Sequence, residues 1–385
     1  MTFLNNPAAY KVWIFAPYLE TDDPTLKFYY DYTQSIAEYT KVFDEVDCEW
    51  EWVNITLANL PEAIAKVNTH TAKDNLVLNL CDGDEINDVP GISVIHALDA
   101  SGITYTGSDS HFYNVTTSKI TMKEAFDQYG VAIPKWVKLN GHIDKQMFHK
   151  TGMPAIVKPA ISAGSMGISV KNVVSDFDEL KDVMTTIKKG FKGWNLHGAG
   201  LLAEQFIIGK EFTTFLVGSH DQPDQIKFYC PIERVFHHSL PEKEQFLSFE
   251  RLWEAYDQES PMPNEEFFYE YQPVHAPELA SQLKDLSIDA FKAVKGMGYA
   301  RIDIRMEKGT NKLFVLEINA QCGLSDDENY TSIGAILRMS NKTFTDLIVE
   351  VLDDAIHRKV PVLNEVPIRK ANTKKSAPAF SRLRG

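Results

Sequence analysis

The chain has 385 residues, 44% of them hydrophobic and 24% charged, with a formal net charge of -14. At ~100–200 residues per domain this predicts two or three domains, large enough to bury cores without disulfides or metals. The acidic balance lacks the broad basic surface that displaces counterions from DNA or RNA, so nucleic acid is not an expected partner.

No apolar run reaches the ~18 residues of a membrane-spanning helix, so no membrane association is expected. The N-terminal stretch has no basic start followed by a long apolar run, so it does not read as a signal peptide. Cys48, Cys81, Cys230 and Cys322 are scattered without a CxxC pair. That argues against a zinc knuckle or a secreted disulfide framework, and a reduced cytoplasmic setting is the expectation.

In chain order, residues 12–16 form a short apolar run ending at Pro17 and read as a buried strand. Residues 48–55, rich in β-formers such as Trp50, Trp52 and Val53, read as a second. Residues 76–80 read as a third, ending in the turn signal Cys81-Asp82-Gly83. Residues 92–100 predict a helix stopped by Gly102, and 103–105 a further strand. Strands alternating with helices predict an open α/β sheet. Thr116, Thr117 and Ser118 are candidate caps for a helix carrying Ile120, Ala125, Phe126 and Tyr129, closed by Gly130.

Residues 155–159 predict a strand stopped by Pro159. The Gly/Ser-rich loop 162–167 follows, then strand-like 168–170, which makes the loop a hairpin tip. Further strands are expected at 201–206 and 211–217. Residues 237–275 are irregular and rich in glutamate and aromatics, and read as a long, partly ordered loop or insertion, of a length that is often functional. Leu279, Leu283, Leu286, Ala290 and Val294 fall at helical spacing, and 343–357 predicts another helix. Residues 366–385 hold six Lys/Arg and no acid, and read as a disordered tail, with a basic interaction arm as the alternative.

Residues 299–323 carry the strongest chemical pattern. Two strands flank the turn-like Lys308-Gly309-Thr310-Asn311. With period-two alternation, Arg301, Asp303 and Arg305 share one face, as do Glu317 and Asn319 on the second strand. Packing the apolar faces inward brings Asp303, Glu317, Asn319 and Arg301 to one side. Two carboxylates and an amide oxygen are hard ligands suited to magnesium. Singly, each residue is an ordinary solvated strand charge; together, and downstream of a loop whose backbone N–H groups can approach phosphate, they suggest a phosphate–metal site. The loop does not match GxxxxGK[ST], so it is not a P-loop. Lys119 and Lys158 are candidates to neutralise phosphate charge, Lys158 from within an apolar strand.

The chain resembles the D-alanine–D-alanine ligase branch of the ATP-grasp superfamily. The matching segments are Tyr105-Thr106-Gly107-Ser108, Ser118-Lys119 with Lys123, Ile156-Val157-Lys158-Pro159, Gly164-Ser165-Met166-Gly167, Leu202-Ala203-Glu204-Gln205-Phe206 with Glu211-Phe212-Thr213, Arg301-Ile302-Asp303 and Glu317-Ile318-Asn319. The resemblance implies an α/β fold, α+β in parts: an N-terminal open α/β domain over 1–116, a central lid domain over 117–210 and a C-terminal catalytic domain over 211–365, with ATP between the last two. It implies that Lys119 and Lys158 hold the α- and β-phosphates and that Gly164, Ser165 and Met166 belong to a closing lid. Glu204, with the backbone of Phe206 and Ile207, would face adenine, and Glu211 would bind ribose. Asp303, Glu317 and Asn319 would hold magnesium, two ions with manganese able to substitute. Arg301 and Gly323 are the implied catalytic positions, Arg301 and nearby N–H groups stabilising charge during acyl transfer.

The substrate ends depart from the family. Its Gly-Gly-x-Ser segment with an ammonium-binding glutamate is replaced by Ala16-Pro17-Tyr18-Leu19-Glu20-Thr21-Asp22-Asp23, with Glu20 the candidate substitute. The Tyr-Lys pair of the acceptor site has no placeable counterpart in 237–275. After Asn319, where the family has an acceptor-binding serine, the chain carries Asp326-Asp327-Glu328. Those acids read equally as a site repelling a carboxylate acceptor or as a decorated helix start. The expected function is ATP- and magnesium-dependent ligation of a carboxylate to an amine through an acylphosphate. Its expected substrates are amino acids or small peptides other than D-Ala plus D-Ala. The alternatives are carboxylation of an amine through carboxyphosphate and a degenerate ATP-binding protein. A homodimer is left open.

Overall fold

The computed structural model describes residues 2–358, with 23–26, 29, 140–144, 163, 192–193, 254–255, 257–258 and 328–330 excepted. The basic tail at 366–385 lies outside the described residues. Among those described, no helix is long and apolar enough to cross a membrane.

The first sheet is parallel. Strand β1 (Tyr10–Pro17) lies between β2 (Glu49–Ile55) and β3 (Asp74–Asn79), and β4 (Thr104–Tyr105) pairs with β3. Residues 12–17 of β1 are all buried because helices cover both faces, as parallel sheets require. Trp13 and Phe15 pack with Ile64, Val67 and Leu98 of helices Leu60–Thr69 and Ile92–Ser101. Val12 and Ile14 point the other way, into a cluster with Tyr39, Phe43, Leu347 and Val351 of helices Thr33–Glu45 and Phe344–His357. The strands expected in this region are present within a residue or two, and Gly102 closes its helix at φ 64° in open space.

The second sheet is antiparallel, in the order β5 (Trp136–Lys138), β8 (Leu201–Gln205), β6 (Ala155–Pro159), β7 (Val173–Val174). Two expectations are corrected here. Thr116 and Thr117 end the preceding helix Ser110–Thr117 instead of capping the next: their hydroxyls donate 2.8 Å bonds back to the carbonyls of Phe112 and Tyr113. Helix Lys119–Tyr129 begins after Ser118 without a side-chain cap bond and closes at Gly130, φ 73°. Residues 168–170 are not a strand either. Ser169 donates to Asn172 Oδ1 from its N–H (2.9 Å) and hydroxyl (3.0 Å), and this capping turn delays the return strand to Val173–Val174.

The third sheet runs β12 (Tyr269–Pro273), β11 (Ile232–Phe236), β9 (Gly209–Ser219), β13 (Met297–Glu307), β14 (Leu313–Ala320), with β10 (Lys227–Phe228) also on β9. Helix Pro277–Ala293 covers one face through Leu283, Ala290 and Phe291, which pack on Phe212, Leu216, Ile302 and Ile304. The stretch 237–275 is partly ordered, as expected, and holds the short helix Phe249–Trp253 and edge strand β12. An edge position tolerates the terminal Pro273.

Gln321 joins the first sheet to the third. It has left-handed backbone, φ 53°, and is 1% exposed. Its amide accepts from Ser108 N–H at 2.7 Å and donates to the Asn79 carbonyl at 2.7 Å. Gly107 allows this approach, since a Cβ there would lie 1.6 Å from Gln321 Oε1. Gln321→Ala leaves a buried N–H and C=O unpaired, so we predict a loss of about 1–3 kcal/mol in urea denaturation. An unchanged midpoint would remove this bridge from the account.

Candidate active site

A cavity of about 420 Å³ is lined by residues of the second and third sheets, by the turn after β3 and by 246–253. On its floor, β13 and β14 pair Arg301 with Asn319 and Asp303 with Glu317, then shift register beyond Asp303. Directly opposed residues share a sheet face, so the four polar groups meet as period-two alternation predicts. Asp303 accepts from Thr213 Oγ1 at 2.9 Å and from Asn319 Nδ2 at 3.4 Å, and Arg301 Nε lies 3.5 Å away. Burial pushes the Asp303 carboxyl up against the pull of Arg301, and Glu317 adds to the rise. Burial also raises Glu317, but Lys119, Lys158 and Arg301 outweigh it and hold its carboxyl down at about 2.

Among the described residues no three His, Cys, Asp or Glu side chains converge on a metal-sized point. Two carboxylates and an amide are short of a complete cage, which suits a magnesium ion that shares its shell with phosphate and water. The Asp303–Glu317 repulsion is of the kind a divalent cation relieves.

Lys119 and Lys158 both border the cavity. Lys119 Nζ donates to the Ser162 carbonyl at 3.2 Å and stands 3.5 Å from Glu317 Oε2. Lys158 Nζ lies 2.5 Å from Glu204 Oε1, while Lys123 Nζ lies 2.5 Å from Glu204 Oε2. Lys123 and Glu204 are each 1% exposed. The Glu204 carboxylate, expected at adenine, is therefore closed between two ammonium groups. Burial alone would raise it, but Lys123 and Lys158 hold it at about 2. Sequence reasoning gave Lys123 no role; its only signal was its place in the matched segment.

Glu211, expected at ribose, is similarly engaged. Arg234 Nη1 pairs with its Oε1, and Arg305 reaches Oε2 from Nε at 3.1 Å and Nη2 at 2.9 Å. Burial pushes Glu211 up, but the two guanidinium groups outweigh it and lower it. Arg305 also donates to the Ile207 carbonyl at 2.8 Å and sits 4.8 Å over the Phe206 ring. It thereby fixes the backbone on which both Phe206 and Ile207 meet the cavity. Arg234 and Arg305 were missed as site residues, although Arg305 alternates with Arg301 and Asp303.

Gly164, Ser165 and Gly167 have φ of 52°, 59° and 73°, a tight turn that keeps Met166 buried. The segment 246–253 docks on this loop. Trp253 Nε1 donates to the Gly164 carbonyl at 2.9 Å and Ser165 Oγ to the Leu247 carbonyl at 3.1 Å. The long loop is thus part of the cavity wall.

At the substrate end, Gly323 borders the cavity, and a Cβ there would meet Thr331 Cγ2 at 3.9 Å. Glu20 is exposed and outside the lining, whereas Asp82 and Asp84 are within it. Asp326 and Asp327, which read equally as acceptor-facing acids or as a decorated helix start, lie outside the lining. The Asp327 carboxylate accepts from Gln34 at 2.7 Å, and the Asp326 N–H donates to Glu38 at 3.2 Å. Glu328 lies outside the described residues. The wall instead presents Thr331 and Ser332 at the start of helix Ser332–Met339. Among the described residues, Ser332 Oγ is buried without a hydrogen-bond partner.

Because the Glu204 pKa lies below its ordinary 4.5 in the folded chain, its ionisation contributes stability fully present above that value and lost as pH falls toward about 2. We predict that Glu204→Gln loses about 3–5 kcal/mol at neutral pH, by leaving Lys123 buried and unpaired. It should also show a shallower stability loss across that acid window in urea titrations. An unchanged slope would contradict the ion-pair assignment.

Comparison with known proteins places these observations in a family. The family model described as "D-ala D-ala ligase C-terminus" matches residues 125–353. A D-alanine–D-alanine ligase of Xanthomonas axonopodis is 25% identical over 263 residues, 67% of this chain and 71% of the relative. One of Acetivibrio thermocellus is 23% identical over 338 residues, 85% and 78% of the two chains. The crystal structure of a Bacillus anthracis D-alanine–D-alanine ligase complexed with ATP superposes with TM-score 0.63 at 18% identity, covering 91% of this chain and 98% of that one, and so shares the fold. With more than half of the chain matched, the protein belongs to the D-ala D-ala ligase C-terminus family and is an ATP-grasp ligase that forms C–N bonds.

Proposed function

We propose that the chain uses ATP and magnesium to phosphorylate an amino-acid carboxylate and then joins it to an amine. The observation that carries this reading is the shared face of Asp303, Glu317, Asn319 and Arg301, with Lys119 and Lys158 beside it. In this reading Asp303, Glu317 and Asn319 hold magnesium, two ions with manganese able to substitute. The metal would neutralise phosphate charge and orient the γ-phosphate.

The chain's own residues divide the remaining work. Lys119 and Lys158 offset charge on the α- and β-phosphates, and Lys158 is held for this by Glu204. Phe206 and Ile207 offer backbone and ring to the base, on the link between β8 and β9 that Arg305 fixes. Glu211 reaches ribose only while its arginine pairs keep it in place. The 164–167 loop, with 246–253 over it, keeps water from the acylphosphate. The donor carboxylate attacks the γ-phosphate and ADP leaves. The amine then attacks the acyl carbon, Arg301 and the N–H groups near Gly323 stabilise the oxyanion, and phosphate departs. We assign 1–116, 117–210 and 211–365 as the three domains, with ATP between the last two, and the cytoplasm as the setting.

The relatives compared above are named for D-alanine, and the acceptor-side argument against it weakens with the Asp327 carboxylate on Gln34 and neither Asp326 nor Asp327 in the cavity lining. Ser332, free and buried at a helix start, suits an acceptor carboxylate. D-alanine therefore belongs first in the substrate panel. The donor side still departs from the family, and there we keep open an amino acid other than D-alanine.

Coupled assays should show amino-acid-dependent ADP release with a stoichiometric dipeptide product. Asp303→Asn and Glu317→Gln are each predicted to lower kcat about 100-fold or more, with near wild-type folding by circular dichroism. Full turnover by either variant would remove the metal face from the mechanism. Bicarbonate-dependent ADP release without an amino-acid donor would favour carboxylation instead.

A further inference from the structure

Asp82 stands apart from every role given above. It sits in the turn after β3, lines the cavity and is exposed to it. Among the described residues no hydrogen bond or ion pair from another side chain reaches its carboxylate, whereas the neighbouring acids are engaged. Asp84 accepts from the backbone of Ile86 at 2.9 Å and Asn87 at 3.3 Å, and Glu85 accepts from Ser93 N–H at 2.6 Å and Oγ at 2.8 Å.

The turn is rigidly built. Cys81 N–H donates to Asn79 Oδ1 at 3.0 Å, Gly83 N–H to the Pro90 carbonyl at 2.9 Å, and Tyr113 OH to the Gly83 carbonyl at 2.6 Å. A Cβ on Gly83 would lie 2.1 Å from the Val89 carbonyl oxygen. Gln321 ties Asn79 to the strand end that leads to Gly323. Asp82 is thus held at a set position relative to the acyl-transfer end.

A second feature on the same wall asks for a ligand. Ser332 Oγ has no hydrogen-bond partner among the described residues, although the residue is 3% exposed. Among the described residues, the cavity therefore carries an anion and a buried hydroxyl without side-chain partners, and Arg301 and Gly323 line the same cavity.

We propose that Asp82 binds the positively charged group of an amino-acid substrate, replacing the N-terminal glutamate position that here holds Glu20, so that the site selects ammonium-bearing acids over amine-free ones. This rests on the ligase reading and deepens it. Crowding by protein, with Asp84 adding, pushes the Asp82 carboxyl up to about 6 while its own N–H pulls it down, and a bound ammonium would relieve that.

The test is calorimetric binding of D-alanine, L-alanine, L-lysine and L-arginine, with propanoate as the amine-free control, to Mg-ADP-loaded wild type, Asp82→Asn and Asp82→Glu. At least one amino acid should bind the wild type about tenfold or more tightly than propanoate. Asp82→Asn should weaken that amino acid about ten- to hundredfold, with propanoate and ADP binding unchanged. Asp82→Glu should recover part of the loss, which a folding defect would not. Equal binding by wild type and Asp82→Asn, or no preference for any amino acid over propanoate, would overturn the proposal. If binding follows the prediction but the wild type releases no ADP with that amino acid, the ligase reading fails and the Asp82 assignment stands.

Discussion

Glu204, buried between Lys123 and Lys158, is the interaction on which the cavity depends. It fastens helix Lys119–Tyr129 to β6 and β8 with charges taken out of water. Such a group persists only if every charge has a partner, and breaking one pair costs about 3–5 kcal/mol. One carboxylate against two ammonium groups also leaves a net positive wall. Across it lie Glu317 and Asp303, and behind them Glu211 between Arg234 and Arg305. Lys158, Glu317, Asp303 and Glu211 are thus each oriented by an opposite charge before any ligand arrives.

This pre-organisation follows from strand geometry. The pairing of Asp303 with Glu317 and of Arg301 with Asn319 puts charge on one face while Ile302 and Ile318 fill the core on the other. The register shift beyond Asp303 does not disturb the face, because it falls after the pairs that matter. Arg305, on the far side of the shift, turns to Glu211 and the Ile207 carbonyl. One strand thus serves both the metal face and the nucleotide wall.

What was legible in the sequence had local causes. Period-two alternation placed Arg301, Asp303, Glu317 and Asn319 together, apolar runs marked β1 and β3, and Gly102 and Gly130 ended their helices. What was not legible needed tertiary partners. Lys123 and Arg305 have no legible role until Glu204 and Glu211 are brought to them. Residues 168–170 carry β-formers, but the Ser169–Asn172 hydrogen bonds override that preference. Asp326 and Asp327 sit at the right distance from Asn319 along the chain, yet contacts with Gln34 and Glu38 draw this segment toward helix Thr33–Glu45. Asp82, in what read only as a turn signal, became a candidate once Gln321 was seen to hold that turn against the active face.

The central claim is that a substrate carboxylate is activated as an acylphosphate on the Asp303–Glu317 face. Its most direct test uses the amino acid that supports ADP release, labelled with ¹⁸O in its carboxylate. The account predicts that one labelled oxygen appears in the inorganic phosphate for each C–N bond formed. Phosphate free of label, with both labelled oxygens left on the acid or its product, would contradict it.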